Sequence, residues 1–200
     1  MSKQSGAAAE DVAAAIIEMA GPVDPMKLQK LLYYAQAWHL AWYSQPLFDE
    51  EIEAWRQGPV VPRVYRMYKS YGFQRIPKPA AGSSGALGER ERSALGAVLE
   101  AYAKYSASQL RELTHQEEPW FEVREGLDPS DSSDRPIPLA EMEAYYRDRG
   151  IFGGVPADIK PVDEAILDRI KDGEEEAVGD ALYQAIGIRG RSAKADGGST

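Results

Sequence analysis

His39 and His115 are the only two imidazoles in this 200-residue sequence, and imidazole is the side chain that titrates near neutrality without help. There is no cysteine, which removes thiol nucleophiles, thiolate metal sites and disulfides. A serine nucleophile needs an adjacent base, so any such chemistry has to run through one of the two histidines. His39 shares a helical face with Leu28, Leu31, Leu32, Ala35, Trp38 and Trp42. There it reads as a core histidine or as a base. His115 lies in Thr114-His115-Gln116-Glu117-Glu118-Pro119-Trp120, at the junction of two short helical segments. His115 and Glu117 together are the pair that general acid–base chemistry requires. The other reading is that Thr114 and His115 satisfy open helix ends at a tight corner.

Metal and phosphate chemistry find less support. No H-x-x-x-H or H-E-x-x-H spacing occurs, and two distant histidines make a closed zinc site only with carboxylates recruited by the fold. No glycine-rich phosphate loop is present; Gly82, Gly85 and Gly88 lie in a loop without a preceding strand. No cofactor is expected. Arg63, Arg66 and Lys69 line one side of a helical segment, which suits either a phosphate or plain solvent. Trp38, Trp42, Trp55 and Trp120, with several tyrosines, sit near Pro and Gly corners. Most must be core, although Trp and Tyr are also common interface anchors.

The elements that carry these residues are mainly helical. A first helix is expected over residues 7–20, with Val12, Ile16 and Ala20 on one face, ended by Gly21-Pro22. Asp24 then caps a second helix with Pro25 at its first position, running to about residue 44. Met26, Tyr33, Ala37 and Leu40 fall opposite its main apolar stripe. Lys27, Gln29, Lys30 and Gln36 are its clearly polar positions. A helix apolar on two sides is either buried on both or offers one to a partner. Residues 52–57 read as a short strand, Gly58-Pro59 as a turn signal, and 74–76 as a second short strand pairing with the first. Val61, Val64, Tyr65, Tyr68 and Tyr71 recur at helical spacing, stopped by Gly72. Residues 77–88 read as a flexible loop.

Helices then follow over 89–105 and after the Ser106/Gln109 capping box. One more opens at Pro119 and another at Pro138, the last with Met142, Tyr145 and Tyr146 inward and ending near Gly150. Residues 126–136 read as a polar loop. Residues 151–156 read as a linker, 157–186 as an acidic helical extension and 187–200 as a disordered tail. The fold class is therefore mainly α: one compact multi-helix domain over 7–150, at most one small β-hairpin, and a short helical C-terminal extension.

Hydrophobic residues make up 44% of the chain and the formal net charge is −9, an ordinary globular composition that argues against direct DNA binding. Residues 161–186 hold eight acids against Arg169 and Lys171. The alanine-rich start is interrupted by Glu10 and Asp11, unlike a secretory signal. The longest uncharged aromatic-aliphatic run, 31–43, falls short of the ~20 apolar residues that span a bilayer. The expectation is a cytoplasmic protein with no membrane partner.

Three blocks of sequence carry a resemblance. The first holds Lys27, Leu28, Gln29, Lys30, Leu31, Tyr33 and Tyr34. The second runs from Trp55 through Gly58, Pro59 and Val60 to Tyr65. The third holds Thr114, His115, Glu117, Pro119 and Trp120. In order and spacing they resemble the Panacea, or SocA-like antitoxin, domain family over about residues 10–150. The resemblance implies an antitoxin of a bacterial or phage toxin–antitoxin pair. Such a protein neutralises a cognate toxin, often one that blocks translation, by direct binding. One branch of the family instead delivers its toxin to the ClpXP protease. Many members add a DNA-binding domain; only a short helix precedes the motif here, so none is expected.

The motif residues read as scaffold rather than contact surface, with Gly58 supplying a backbone conformation closed to other residues. Candidate partner-contacting residues are Tyr33, Leu40, Arg63, Arg66, Ile166, Ile170 and Leu182. Two alternatives remain at this stage: a proteolytic adaptor, and an enzyme using His115 and Glu117. The acidic extension either covers a basic toxin surface or packs on the core.

Overall fold

The structure is a computed structural model that describes residues 7–148. The expected 151–156 linker, the 157–186 extension with Ile166, Ile170 and Leu182, and the 187–200 tail lie outside the described residues. The described part is mainly α, with seven α-helices and one two-stranded hairpin.

Helix α1 spans Ala9–Ala20 and α2 spans Pro25–Tyr43. Asp24 starts α2 as its sequence suggests: its side chain accepts from the Lys27 N–H at 2.9 Å, with Pro25 in the first turn. Ser44, at φ 53°, ends the helix, its N–H returning to the Leu40 carbonyl. Between these ends α2 is buried on every side. Leu28, Leu31, Leu32 and Ala37 are fully covered, and so are Tyr33 and Tyr34. Each Leu contributes about 1.5–3 kcal/mol by leaving water. Helix α1 packs against α2, and its Ala13, Ala14 and Ala15 are all buried.

The two-sided apolarity of α2 is thus that of a central helix. Tyr33 and Leu40, read from sequence as candidate partner contacts, are 0% and 3% exposed. They are corrected to core positions that offer no surface. Gln29, Lys30 and Gln36 are buried, because each satisfies the backbone of a loop. Gln36 accepts from the Leu47 and Phe48 N–H groups (2.7 and 3.2 Å) and donates to the Phe48 carbonyl (2.9 Å). Such exchanges make buried amides tolerable.

The hairpin pairs β1 (Glu53–Trp55) with β2 (Gly58–Val60) in antiparallel register, Trp55 opposite Gly58 and Glu53 opposite Val60. The expected partner at 74–76 was wrong: Ile76 instead donates its N–H to the Val23 carbonyl (2.8 Å). The turn is Arg56-Gln57, not Gly58-Pro59. Pro59 is acceptable in a strand because it faces Ala54, whose N–H points away, to the Arg135 carbonyl (2.8 Å). Ile137 likewise donates to the Ile52 carbonyl (2.7 Å). The segment read as a polar loop therefore ends by lining the hairpin's outer edge.

Helix α3 (Pro62–Tyr68) runs into a 3₁₀ turn at Lys69–Tyr71. The 77–88 loop is pinned rather than loose. Ser83 N–H donates to Asp11 (2.8 Å), Ser84 Oγ to Glu18 (2.5 Å) and Ala80 N–H to the Tyr68 hydroxyl (3.0 Å). Helices α4 (Glu89–Tyr102), α5 (Ala107–His115), α6 (Glu118–Val123) and α7 (Leu139–Asp148) complete the set. The Ser106/Gln109 capping box forms at the start of α5. Met142, Tyr145 and Tyr146 of α7 are buried, and α7 lies along α2. No helix among the described residues is long and apolar enough to cross a membrane.

Candidate functional site

The three sequence blocks, far apart along the chain, meet at one place. Helix α2 supplies two polar clamps one residue apart. Gln29 Oε1 accepts from the Val61 N–H (2.7 Å) and Lys30 Nζ donates to the Pro59 carbonyl (3.0 Å). Both hold the exit of the hairpin. Gly58 lies directly over the Lys30 ammonium at φ +92°. A Cβ there would come within 2.6 Å of Lys30 Nζ and 2.8 Å of Thr114 Oγ1. Glycine is required on both counts, backbone region and space. Thr114 itself is turned inward, its hydroxyl donating to the Arg111 carbonyl (2.8 Å).

The third block closes the other side. Trp120 Nε1 donates to the Trp55 carbonyl (2.9 Å), and the His115 ring stacks flat on Trp120 at 4.0 Å and 4°. Trp55 packs edge-on to Tyr65 (4.9 Å) and donates to Glu53 (2.6 Å). Arg124 was not singled out from sequence, yet it joins this corner. Its guanidinium lies over Trp120 (5.2 Å) and donates to the carbonyls of Ala54 and Asp131, both at 2.9 Å. Nothing in its sequence position at the end of a short helix signalled that; only the fold brings those carbonyls to it.

Glu117 is completely buried. Its carboxylate accepts from the Tyr34 hydroxyl (3.1 Å) and the Tyr146 hydroxyl (2.7 Å). Tyr34 stacks on Tyr102 (4.0 Å), and Tyr102 accepts from Trp38 Nε1 (3.0 Å). The result is a carboxylate in a shell of phenols. Burial, and next the Glu117 charge, push the hydroxyls of Tyr33, Tyr102 and Tyr146 well above the usual tyrosine range. The polar ends of Tyr102 and Trp38 complete this network.

Two cationic groups here are strongly perturbed. Burial, then the Arg111 charge, lowers Lys30 to about 7. Burial, then Arg111, Lys30 and Arg124, lowers His115 to about 3. His115 is therefore a neutral ring at physiological pH, lying against an indole. It does not pair with Glu117, whose carboxylate the two tyrosines hold. His39 is also placed in the core, donating Nδ1–H to the Gln45 carbonyl (2.7 Å) and packing on Tyr43. Burial lowers its pKa. Among the described residues no cluster of three or more His, Asp or Glu is placed to hold a metal ion.

Most of the motif is thus interior. Leu28, Gln29, Lys30, Leu31, Tyr33, Tyr34, Gly58, Pro59, Val60, Thr114, Glu117, Pro119 and Trp120 are buried, while Lys27, Trp55, Tyr65 and His115 are partly covered. Lys27 reaches the Ala103 carbonyl (2.5 Å). On the outside, the hairpin tip at Trp55, Arg56 and Gln57 faces residues 132–134 across an open groove of about 730 Å³. Arg63 and Arg66 are exposed, and Arg63 pairs with Glu10 at 2.7 Å.

Residues 28–121 match the family described as antitoxin SocA-like, Panacea domain. The antitoxin SocA of Caulobacter vibrioides (strain NA1000 / CB15N) is 42% identical over 55 residues. Those residues are 28% of this chain and 29% of that protein, so the similarity spans less than a third of the relative's length. No solved structure matches.

Proposed function

We propose, from the match of residues 28–121 to the SocA-like Panacea domain family, that this protein is the antitoxin of a toxin–antitoxin pair. On this reading it neutralises its cognate toxin by binding it directly. The observation that carries the reading is how the family motif is used. Its residues are spent on holding α2, the hairpin and the α5–α6 corner together, as a shared scaffold for variable partners would be. His115 and Glu117 support an enzyme poorly. One is stacked and neutral, and the other is enclosed by Tyr34 and Tyr146.

The test is co-expression with the product of the adjacent gene. That product alone should arrest growth. This protein should restore growth, and the two should co-purify as one complex. Unrelieved arrest, or relief without a complex, contradicts the reading. Rescue in cells with and without ClpXP separates neutralisation by binding, which persists without the protease, from delivery for degradation, which does not. Rescue by a folded His115→Ala protein would remove the enzymatic alternative.

A further inference from the structure

Residues 54–88 contain six cations (Arg56, Arg63, Arg66, Lys69, Arg75 and Lys78) and not one carboxylate, in a chain whose net charge is −9. Arg66 and Lys69 are exposed, three residues apart on α3 and the 3₁₀ turn that continues it, and Arg75 and Lys78 are exposed just beyond. Among the described residues, only Arg63 of the six forms an ion pair, with Glu10.

Between Lys69 and Arg75 along the chain stands Phe73. It is 98% exposed, by far the most exposed of the large hydrophobic side chains described. The turn that presents it is fixed at both ends. Gly72, at φ +56°, donates to the Lys69 carbonyl (3.1 Å), and Gln74 donates to the Tyr71 carbonyl (2.8 Å). Tyr68 on one side and Ile76 on the other are buried. A phenyl ring held in water on a tied turn gains nothing for the fold. It is pre-organised for a partner, since little conformational freedom is lost when the turn is engaged.

We propose that this surface, with Phe73 as anchor and Arg66, Lys69 and Arg75 around it, is where the protein docks an acidic protein surface containing an apolar notch. The inference rests on the antitoxin reading and assigns the side of the molecule that meets the toxin. Charge sets the class of partner. A cationic patch is complementary to carboxylates, and an aromatic flanked by arginines is the usual composition of an interface hot spot. A nucleic acid fits less well. The chain is acidic as a whole, which repels a phosphate polymer at long range. There is also one projecting ring rather than a succession of stacking platforms.

The experiment measures binding of the full chain to the purified product of the adjacent gene, at 150 and 500 mM salt. Phe73→Ala should raise Kd roughly thirtyfold. The triple reversal Arg66→Glu, Lys69→Glu, Arg75→Glu should raise it about a hundredfold and remove most of the salt dependence. Neither should change the melting temperature, because these side chains are exposed. If the wild-type protein binds and both variants bind equally well, the docking surface is refuted while the antitoxin reading stands. If the wild-type protein does not bind at all, the antitoxin reading falls and this inference with it. Two further probes name other occupants: a 30-nucleotide single-stranded RNA, and the protein's own self-association by sedimentation. Loss of either in the variants, with toxin binding unchanged, would overturn the proposal.

Discussion

Glu117 is the residue on which most of the buried polar network depends. Glu117→Ala would strip an acceptor from two enclosed hydroxyls, those of Tyr34 and Tyr146, at a cost on the order of 2–4 kcal/mol. Glu117→Gln keeps one acceptor and should cost less than half as much; denaturant midpoints of the two variants give that order directly. Lys30 makes a pH prediction. Its folded pKa of about 7 lies below the usual lysine value, so the unfolded chain holds this proton more tightly. The burial penalty is then fully present below pH 7 and is relieved as pH rises toward the unfolded value near 10.5. The urea midpoint should climb between pH 7 and 9.5, and Lys30→Met should flatten that rise. His115, held near 3, acts with the same sign in a lower window: the folded state loses stability as pH falls from about 6.5 toward 3. The sequence indicated that His115 and Glu117 share a corner. It did not indicate that each is already occupied, because a two-residue spacing cannot say whether Trp120 or a tyrosine on a distant helix arrives first.

Helices whose start and stop signals are local were the readable elements. Asp24 and Pro25 fixed the start of α2, and Ser106 with Gln109 fixed that of α5, because both signals act within one turn of chain. What escaped was whatever depends on contacts across the chain. Gly58-Pro59 was read as a turn and the second strand placed at 74–76; the structure uses Gly58 and Pro59 as strand, with Pro59 facing a position that needs no donor. Gln29, Lys30 and Gln36 were legible as polar positions on α2, but residue type does not say which backbone groups will cover them. Helix α7 lies beyond the region matched by the family. Yet Tyr146 holds Glu117 and packs edge-on to Trp38 at 4.9 Å, so α7 is part of the same core. A fragment ending at residue 125 should lose cooperative melting, and one ending at residue 150 should keep it. Equal cooperativity in both would refute that assignment.

At the scale of the whole molecule, a network of buried phenols, amides and a lysine fixes a central helix. Among the described residues, the acid-free stretch from 54 to 88 carries six cations and the most exposed large hydrophobic side chain, Phe73. The buried motif and the exposed patch divide the labour, one making the scaffold and the other presenting a surface. That division, together with the match of residues 28–121 to the SocA-like Panacea domain family, supports a binding role. The measurement that tests this most directly is a titration of the adjacent gene product's toxic activity with this protein, using purified components and no protease. The account predicts that inhibition reaches its end point at a fixed molar ratio, at once, and does not deepen with time. Progressive loss of toxin activity at a hundredth of that ratio would contradict it, because only a catalyst acts that far below stoichiometry.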